Sequence, residues 1–348
     1  MTTPSEDLNM AQDAIAVDAD PEERAPKKKR THGLSKWTLY RRRFMRNKAA
    51  VVGLIIFVLL VALAFFGSYL TKYDHINQDF NVLLSEELRR PNFMVRKDLV
   101  PDHVWMQMEN TEIYEANGGH GIHLLGTDSG GHDLYARTIQ GLRRSLMIAV
   151  LVSSGITIIS AIVGTTAAYL RGTAEKVILG IIHFLLVIPT FLLIALLVND
   201  SGGDWKILVI VLIAFGWMFQ SRVIWSLAMS VREREYVAAA KYMGVSTPVI
   251  ILRHMIPNIG SLLIINLMLG VVSAVMTETG LSFLGLGVKI PDVSLGTLLQ
   301  QGAGGVLSMP WTFWVPAGTL TLLTVSMALV ADGLRDALDP NSSAGGTA

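Results

Sequence analysis

Apolar residues occur along the chain in six long blocks, which are separated by segments rich in polar and charged residues. The blocks are Ala49–Leu70, Ser145–Leu170, Val177–Val198, Ile207–Ala228, Ile259–Phe283 and Phe313–Val330, each 18 to 26 residues long. A helix needs roughly 20 such residues to cross a hydrocarbon core of about 30 Å. The blocks lack the alternation of barrel strands, and in lipid a segment must satisfy its own backbone groups. The pattern therefore predicts an all-α membrane protein with six transmembrane helices.

Positive charges between the blocks predict how these helices are oriented. Ten lysines and arginines lie between Lys27 and Lys48, and four more lie between Arg232 and Arg253, whereas the short loop Asn199–Trp205 has none. Lysine and arginine are enriched in cytoplasmic loops and beside anionic headgroups. We therefore expect both termini and the Arg232–Arg253 segment in the cytoplasm, in contact with membrane lipid rather than with nucleic acid.

The same pattern divides the chain into five regions. They are an acidic leader at 1–35, a basic anchor with the first helix at 36–70, an extracytoplasmic loop at 71–141, a membrane core at 142–334 and a cytoplasmic tail at 335–348. The leader has no apolar periodicity, so we expect it to be disordered. Within the third block, Pro189 predicts a kink, since a proline in a transmembrane helix frees a backbone carbonyl.

Composition narrows the classes of function. The chain is 51% hydrophobic and 16% charged, with a net charge of +1, a mean hydropathy of +0.46 and no cysteine. A disulfide framework, a thiolate metal site and a cysteine nucleophile are thereby excluded. No phosphate loop and no zinc-protease or serine-hydrolase motif is present. His120, His123 and His132 lie near two aspartates, but their spacing is loose and rich in glycine. We therefore predict no catalytic, cofactor or metal site.

The segment between the fourth and fifth blocks has the most specific pattern. Ser230 and Glu233 have the spacing of a capping box, which predicts a short helix, and Gly244 suits its left-handed end. Thr247-Pro248 then predicts the N-cap and first turn of a second helix. The small side chains of Ala238–Ala240 would let the first helix approach a groove on another protein. An ordinary helical connector explains the same residues equally well.

Three motifs resemble those of ABC importer permeases. The run Ala238–Gly244, followed by Ile251–Asn258, resembles the EAA loop of that family. The stretch His123–Asp133 (HLLGTDSGGHD) is similar to the H-P-L-G-T-D-x-x-G-R-D signature of the oligopeptide and dipeptide permeases, C-type subunit. Glu278–Gly287 (ETGLSFLGLG) is similar to their E-x-x-L-S-F-L-G-L-G segment. The resemblance covers roughly residues 36–340.

The chain departs from the family pattern at three positions. Ala238 replaces the glutamate that gives the EAA loop its name, Leu124 replaces a proline, and His132 replaces an arginine. The resemblance implies a type I ABC importer permease fold, with a cytoplasmic coupling helix within residues 231–257. In that family the coupling helix docks into a cleft of a cytoplasmic ATPase.

The resemblance also implies which residues act and with which partners. The expected ATPase-coupling residues are Glu235, Tyr236, Ala238, Ala239, Ala240, Lys241, Gly244, Arg253, His254 and Pro257. Glu278, Ser282 and Phe283 are expected in the translocation pathway or at a contact with a second permease. From the residues alone, Glu278 is equally a packing residue that bonds to Thr277 or Thr279.

The implied assembly is a heterodimer with a second, homologous permease, joined by two cytoplasmic ABC ATPases or a fused pair and by an extracytoplasmic solute-binding protein. It would lie in the bacterial inner membrane and import peptides, with ATP and magnesium bound on the ATPases and no enzymatic activity on this chain. Two alternatives stay open at this point. One is an importer of the same type for nickel or another small solute, and the other is a secondary transporter, which would need several buried charges for ion coupling.

Overall fold

The structure, a computed structural model, describes residues 36–104, 123–200, 202–289 and 291–338. The predicted leader at 1–35, most of the tail and His120 lie outside the described residues. The α-helices are α1 (Lys36–Arg46), α2 (Lys48–Phe66), α3 (Leu134–Leu170), α4 (Gly172–Val187), α5 (Thr190–Asp200), α6 (Trp205–Arg232), α7 (Glu235–Tyr242), α8 (Gly260–Phe283), α9 (Leu295–Ala303) and α10 (Trp311–Leu338). The described residues contain no strand, only two isolated bridges. The all-α prediction is confirmed.

The chain divides into two units, residues 1–42 and 43–348. Of the first unit the structure describes only the beginning of α1, and the account below concerns the second unit. The segment between α2 and α3 consists, where described, of short 3-10 turns: Gly67–Leu70, Phe80–Leu84, Glu87–Arg89, Asn92–Met94 and Lys97–Leu99. The connection between α7 and α8 is a single helical turn, Thr247–Val249, then a π-helical turn, Ile250–Met255, and a 3-10 turn, Ile256–Ile259.

Several helices extend beyond the predicted apolar blocks, among them α3, α6 and α10. Helix α3 begins at Leu134 rather than Ser145, because Asp133 caps it and accepts a hydrogen bond from the Ala136 N–H at 2.6 Å. Its first turns contain polar residues that are buried against protein. Because these residues interrupt the apolar run, the apolar pattern predicts too late a start for the helix. Helix α6 likewise continues to Arg232, four residues beyond the predicted end.

The predicted capping box is wrong. Ser230 lies inside α6, where its hydroxyl donates to the Leu227 carbonyl at 2.8 Å. The carboxylate of Glu233 accepts from the side chains of Arg171 and Arg232 instead of a backbone N–H. Helix α7 consequently starts at Glu235. The N-cap of the next turn is Ser246 rather than Thr247, and Pro248 lies in the first turn as predicted.

The third apolar block forms two helices instead of one. Helices α4 and α5 meet at an angle of 72°. Ile188 has an extended backbone with ψ of 132°, the conformation that a following proline favours, and Pro189 has no N–H to donate. The kink predicted at Pro189 is thus present, as a complete break in the helix.

The direction of α3 and α6 determines how many times the chain crosses the bundle. Near their C-terminal ends, Arg232 Nη1 donates to the Ala168 carbonyl at 2.5 Å. In their N-terminal halves, the Arg144 guanidinium lies 4.5 Å from the centre of the Trp205 ring. Since α3 and α6 therefore run in the same direction, the intervening α4–α5 pair must return through the bundle. Together with the five long apolar helical segments, this makes six crossings in the described chain.

The six crossings place the two described termini of the membrane core at one end of the bundle. Asn47, the N-cap of α2, donates to Asp336 near the end of α10 at 3.1 Å. An even number of crossings also places α7 there. We call this the coupling end, and the opposite end, which carries Asp133 and α9, the loop end. Between these two ends, small residues allow the helices to pack closely. A Cβ on Gly164 of α3 would lie only 2.5 Å from the Ser221 carbonyl of α6, so the two backbones can approach this closely only with a glycine there.

Candidate functional sites: the α7 connection and the two cavities

Helix α7 is attached to the coupling end by one narrow face. Val237 and Ala240, three residues apart and hence on the same side of the helix, are buried. They pack into a small apolar cluster with residues of α3, α6 and the π-helical turn: Ala168, Ala228, Ile250 and Met255. The cluster joins α7 to both of the central helices, so a displacement of α7 would be passed to them.

The remaining surface of α7 and of the turn after it is uncovered. Eight of the predicted coupling residues are exposed there: Glu235, Tyr236, Ala238, Ala239, Lys241, Gly244, Arg253 and Pro257. Tyr242 is 90% exposed and Met243 75%. His254 is half-buried, and Ala240 is buried, so Ala240 anchors the helix from inside rather than facing outward. Large exposed apolar side chains beside charged ones are typical of a protein-binding surface.

Gly244 ends α7 in the left-handed conformation that the sequence predicts, with φ of +76°. Its N–H donates to the Lys241 carbonyl at 3.1 Å, and the Val245 N–H donates to the Ala240 carbonyl at 3.1 Å. A Cβ on Gly244 would meet nothing within 4 Å. The glycine is therefore required by the backbone here, and the space beside it is open.

Ionic and irregular backbone contacts connect α7 to the rest of the coupling end. Glu233, just before α7, accepts from Arg232 at 3.1 Å and from Arg171, and the hydrogen bond from Arg232 lowers the pKa of its carboxyl group. After α7, the Ile256 N–H donates to the Ile251 carbonyl in a π-helical turn. Pro257 follows in the 3-10 turn. π-Helical turns are rare and occur frequently at functional sites.

At the loop end, a buried histidine joins the segment before α3 to the start of that helix. His123 Nδ1 lies 2.7 Å from Asp133 and its Nε2 3.3 Å from Asp79, while the Tyr73 ring lies 4.0 Å away, centre to centre. Burial alone would lower the pKa of His123. The hydrogen bonds to Asp133 and Asp79 outweigh it, and the net effect raises the pKa. A protonated imidazolium bridging two carboxylates is the state that this geometry favours.

Other polar residues of the His123–Asp133 stretch line a cavity of about 570 Å³ between α3, α9 and α10. Asp128 accepts from the Gly130 and His132 N–H groups at 2.8 and 3.0 Å and forms an ion pair with Arg137. Arg137 also donates to Gln301 at 2.9 Å. Burial would raise the pKa of Asp128, but the His132 N–H and the Arg137 charge lower it overall. This cavity therefore has charged walls.

His132, which stands where the family pattern has arginine, remains beside a carboxylate. Its Nδ1 lies 3.0 Å from Asp128. Among the described residues, no group of three histidine, aspartate or glutamate side chains is arranged to hold a metal ion.

Glu278 is the centre of a buried hydrogen-bond network near the loop end of α8. Ser282 Oγ donates to one carboxylate oxygen at 2.7 Å and Ser145 Oγ to the other at 3.0 Å. Each hydroxyl also accepts a backbone N–H, from Val288 at 3.1 Å and from Leu295 at 3.2 Å respectively. The network thus ties α3, α8 and the start of α9 together.

This geometry changes the interpretation of the predicted pathway residues. Glu278 is 0% exposed and Ser282 is buried, so both lie inside this subunit and present no surface to a second one. The partners of Glu278 are Ser145 and Ser282, not Thr277 or Thr279. Thr277 donates to the Ser273 carbonyl instead. Phe283 is exposed, and its contact with a second permease stays a prediction.

A second cavity, of about 420 Å³, lies between α3, α5, α6 and α8. Its polar lining consists of uncharged residues: Ser153, Thr190, Gln220, Asn266, Ser273 and Thr277. This set forms no recognisable motif in the sequence. Its members come from four helices, and the only signal in the sequence is the occurrence of amides and hydroxyls well inside apolar blocks.

Comparison with known proteins gives consistent matches over most of the chain. Residues 156–343 match the family described as "Binding-protein-dependent transport system inner membrane component", and residues 35–86 match "N-terminal TM domain of oligopeptide transport permease C". The chain is 40% identical to the oligopeptide transport system permease protein OppC of Mycobacterium tuberculosis H37Rv over 314 residues, which is 90% of this chain and 97% of the relative.

More distant relatives extend the same pattern. The OppC protein of Escherichia coli K12 is 30% identical over 88% of this chain and 92% of its own length. The dipeptide transport system permease protein DppC of Lactococcus lactis is 29% identical over 87% of this chain and 90% of its own length.

Proposed function

The chain belongs to the family of binding-protein-dependent transport system inner membrane components, in its oligopeptide and dipeptide permease branch, and from this premise we propose that it forms half of the translocation pathway of an ATP-driven peptide importer. It is a multi-pass membrane protein. In the proposed assembly it pairs with a second, homologous permease, two ABC ATPases or a fused pair bind at the coupling end, and a solute-binding protein delivers peptide at the loop end.

The observation that carries this proposal is the construction of α7. A helix of eight residues is held by two buried side chains and presents its exposed, partly apolar face away from the bundle. An uncovered helix of this kind gains stability when it inserts into a groove of a partner. The cluster with Ala168 and Ala228 provides a path by which movement of that partner reaches α3 and α6.

Coupling then follows from the rigidity of these contacts. ATP binding draws the two ATPases together, and α7 moves with the ATPase into which it docks. The Arg171–Glu233–Arg232 contacts and the packed cluster transmit this movement to the ends of α3 and α6. The pathway between the two permeases would thereby switch from facing the coupling end to facing the loop end. This chain carries no covalent chemistry in the proposed cycle, and ATP and magnesium bind on the ATPases.

Orientation is part of the proposal. Both described termini of the membrane core and α7 lie at the coupling end, which is also where Arg232, Arg234, Lys241 and Arg253 are found. The positive-inside rule supports a cytoplasmic coupling end, in a bacterial inner membrane.

Purification of the tagged, full-length chain from its native membranes in mild detergent tests the proposal, with every co-purifying protein identified. We expect a second permease and P-loop ATPases in stoichiometric amounts, and ATP-dependent uptake of peptides after reconstitution with the binding protein. Elution of the chain alone, or as a homo-oligomer that moves solute without ATP, would overturn it in favour of a secondary transporter. Uptake of a nickel chelate but no peptide would retain the importer and refute the peptide as its solute.

A further inference from the structure

The 420 Å³ cavity lies beside the middle of α6. Gln220 is 15 residues from the start of α6 and 12 from its end, which corresponds to about 18 to 23 Å of helix on either side. Asn266 lines the same cavity from the half of α8 that is nearer the coupling end. The chain also interrupts its third crossing here, because Thr190, the first residue of α5 after the break, lines the same cavity.

Two carboxamides in this cavity have no partner within the described part of the chain. The Nε2 atom of Gln220 is buried and makes no hydrogen bond. No side-chain hydrogen bond joins Asn266 to any described residue, and its amide lines the same space. A buried amide nitrogen without a partner, such as Nε2 of Gln220, costs free energy on the order of 1–3 kcal/mol. Polar residues inside a membrane are costly and commonly mark a solute pathway.

The cavity also differs from the one at the loop end in its charge. No charged residue is among those lining it, whereas Asp128 and Arg137 line the loop-end cavity. A carboxamide donates and accepts hydrogen bonds at the same time, as a peptide group does. A metal ion or charged chelate would need charged or metal-ligating side chains, which this lining does not offer. Its volume falls in the usual range for small-molecule sites.

We propose that the Gln220–Asn266 cavity binds the main chain of a transported peptide by neutral hydrogen bonds and is indifferent to the charge of its side chains. The inference rests on the proposed function and adds a site and a basis of specificity to it. Gln220 and Asn266 are the specificity-determining residues, since each meets a peptide N–H or C=O. The exposed side chains of Phe219 and Leu269 stand at the mouth of the cavity. A permease of this kind would accept peptides of many sequences.

The test measures peptide binding to the purified complex in lipid nanodiscs, with the solute-binding protein left out. Radiolabelled Ala-Ala-Ala is the probe, and Ala-Lys-Ala, Ala-Glu-Ala and a main-chain N-methylated trialanine are the competitors. We expect the lysine and glutamate peptides to compete within about threefold of trialanine. The N-methylated peptide should be about fivefold weaker, as loss of a typical hydrogen bond predicts.

Gln220→Met and Asn266→Leu keep the side-chain volume and remove the hydrogen bonds, and each should weaken binding about fivefold. Gln300→Met is the matched control: Gln300 is an exposed amide that lines neither cavity, so binding should not change. Assembly and basal ATP hydrolysis of every variant are measured in parallel, and the competition series on the unmodified complex needs no variant.

The outcomes separate this proposal from the one on which it rests. If the unmodified complex imports peptides with its binding protein but binds none without it, or binds lysine and glutamate peptides very differently, the cavity proposal fails and the importer stands. If the variants lose the second permease instead of peptide affinity, the amides are subunit contacts and the cavity proposal also fails. If no complex forms and no peptide is imported, the proposed function itself fails.

Discussion

Gly244 combines a backbone that favours glycine with a side-chain position that faces open space. The first property follows from the sequence, since a glycine after an alanine-rich turn predicts a left-handed helix end. The second does not, because it depends on what lies around α7 in the folded chain. A side chain placed at this position would meet a docked partner and nothing in this chain. A substitution of Gly244 can therefore distinguish a role in coupling from a role confined to the local backbone.

Replacing Gly244 with leucine should abolish peptide uptake and leave membrane insertion intact. The new side chain clashes with nothing in this chain, but it strains the backbone by about 1–2 kcal/mol and fills the space that a docked ATPase would occupy. Gly202→Leu is the matched control, because Gly202 has φ of +73° and an equally open surrounding at the loop end. Uptake assays in cells, normalised to the amount of inserted protein, compare the two. Equal uptake by both variants would refute the coupling role of this turn.

His123 predicts how stability depends on pH. Its pKa is raised in the folded state, so the protonated form contributes stability that is complete below the unfolded pKa of about 6.5 and is lost as the pH rises through the folded-state pKa. We therefore expect the melting temperature of the purified protein to fall as the pH rises above about 6.5, in the window set by these two pKa values.

His123→Gln should flatten this dependence, because glutamine does not titrate. His103→Gln provides the control, since His103 is exposed in the same segment, and it should keep the slope of the unmodified protein. A slope that is the same in His123→Gln would show that folding does not raise the pKa of the imidazole between Asp79 and Asp133.

At the scale of helices, the apolar blocks predict well that an element exists and that it is helical, but they predict poorly where each helix begins and ends. Each of the six blocks is helical. The early start of α3 was not predictable, because Arg137 and Thr138 are buried by residues far away in the chain. The nine residues of α9 were not predicted, because the segment is too short to form an apolar block and its Ser294–Thr297 capping box has threonine where the sequence signature has glutamate or glutamine.

For the candidate sites too, features that depend on residues close in sequence were predictable, and features that depend on distant residues were not. Eight of the ten predicted coupling residues are exposed near one another because they are close in sequence, and a single short helix carries most of the ten. The anchoring of Val237 by Ala168 and the pairing of His123 with Asp79 both involve distant positions. Gln220 and Asn266 line the same cavity only because α6 and α8 pack around it. One sequence does not specify such contacts.

The break at Pro189 should depend on that residue. Pro189→Ala restores a backbone donor and frees Ile188 for helical geometry, so we expect α4 and α5 to join. Spin labels on cysteines at positions 177 and 197, both exposed, report the change. Their separation along the helix axis should rise from about 24 Å at a bend of 72° to about 30 Å in a straight helix.

Pro316→Ala is the control for this measurement. Pro316 lies within the continuous helix α10, so a label pair across it should keep its distance. An unchanged distance between positions 177 and 197 in Pro189→Ala would show that packing against α3 and α6, rather than the proline, maintains the bend.

For the molecule as a whole, the even number of crossings determines which parts of the chain lie on the same side of the membrane. Labelling of introduced cysteines identifies whether that side is the cytoplasm. The natural chain has no cysteine, so a single introduced thiol is free of background. Arg335→Cys lies at the coupling end and Leu307→Cys, at a fully exposed position, lies near the loop end. In intact cells a membrane-impermeant maleimide should label position 307 only, and lysis should expose position 335. Labelling of position 335 in intact cells would reverse the proposed orientation.

The broken third crossing has a consequence for synthesis of the chain. Helix α4 has 16 residues and α5 has 11, or about 24 Å and 17 Å, and each is shorter than the hydrocarbon core of about 30 Å. Neither half is long enough to be recognised by the insertion machinery as a span by itself. The two must leave the translocon together, sheltered by α3 ahead of them and completed by α6 behind. A ribosome that pauses after Asp200 would therefore hold an incompletely inserted chain, and insertion at this point is a joint event of three crossings made by four helices.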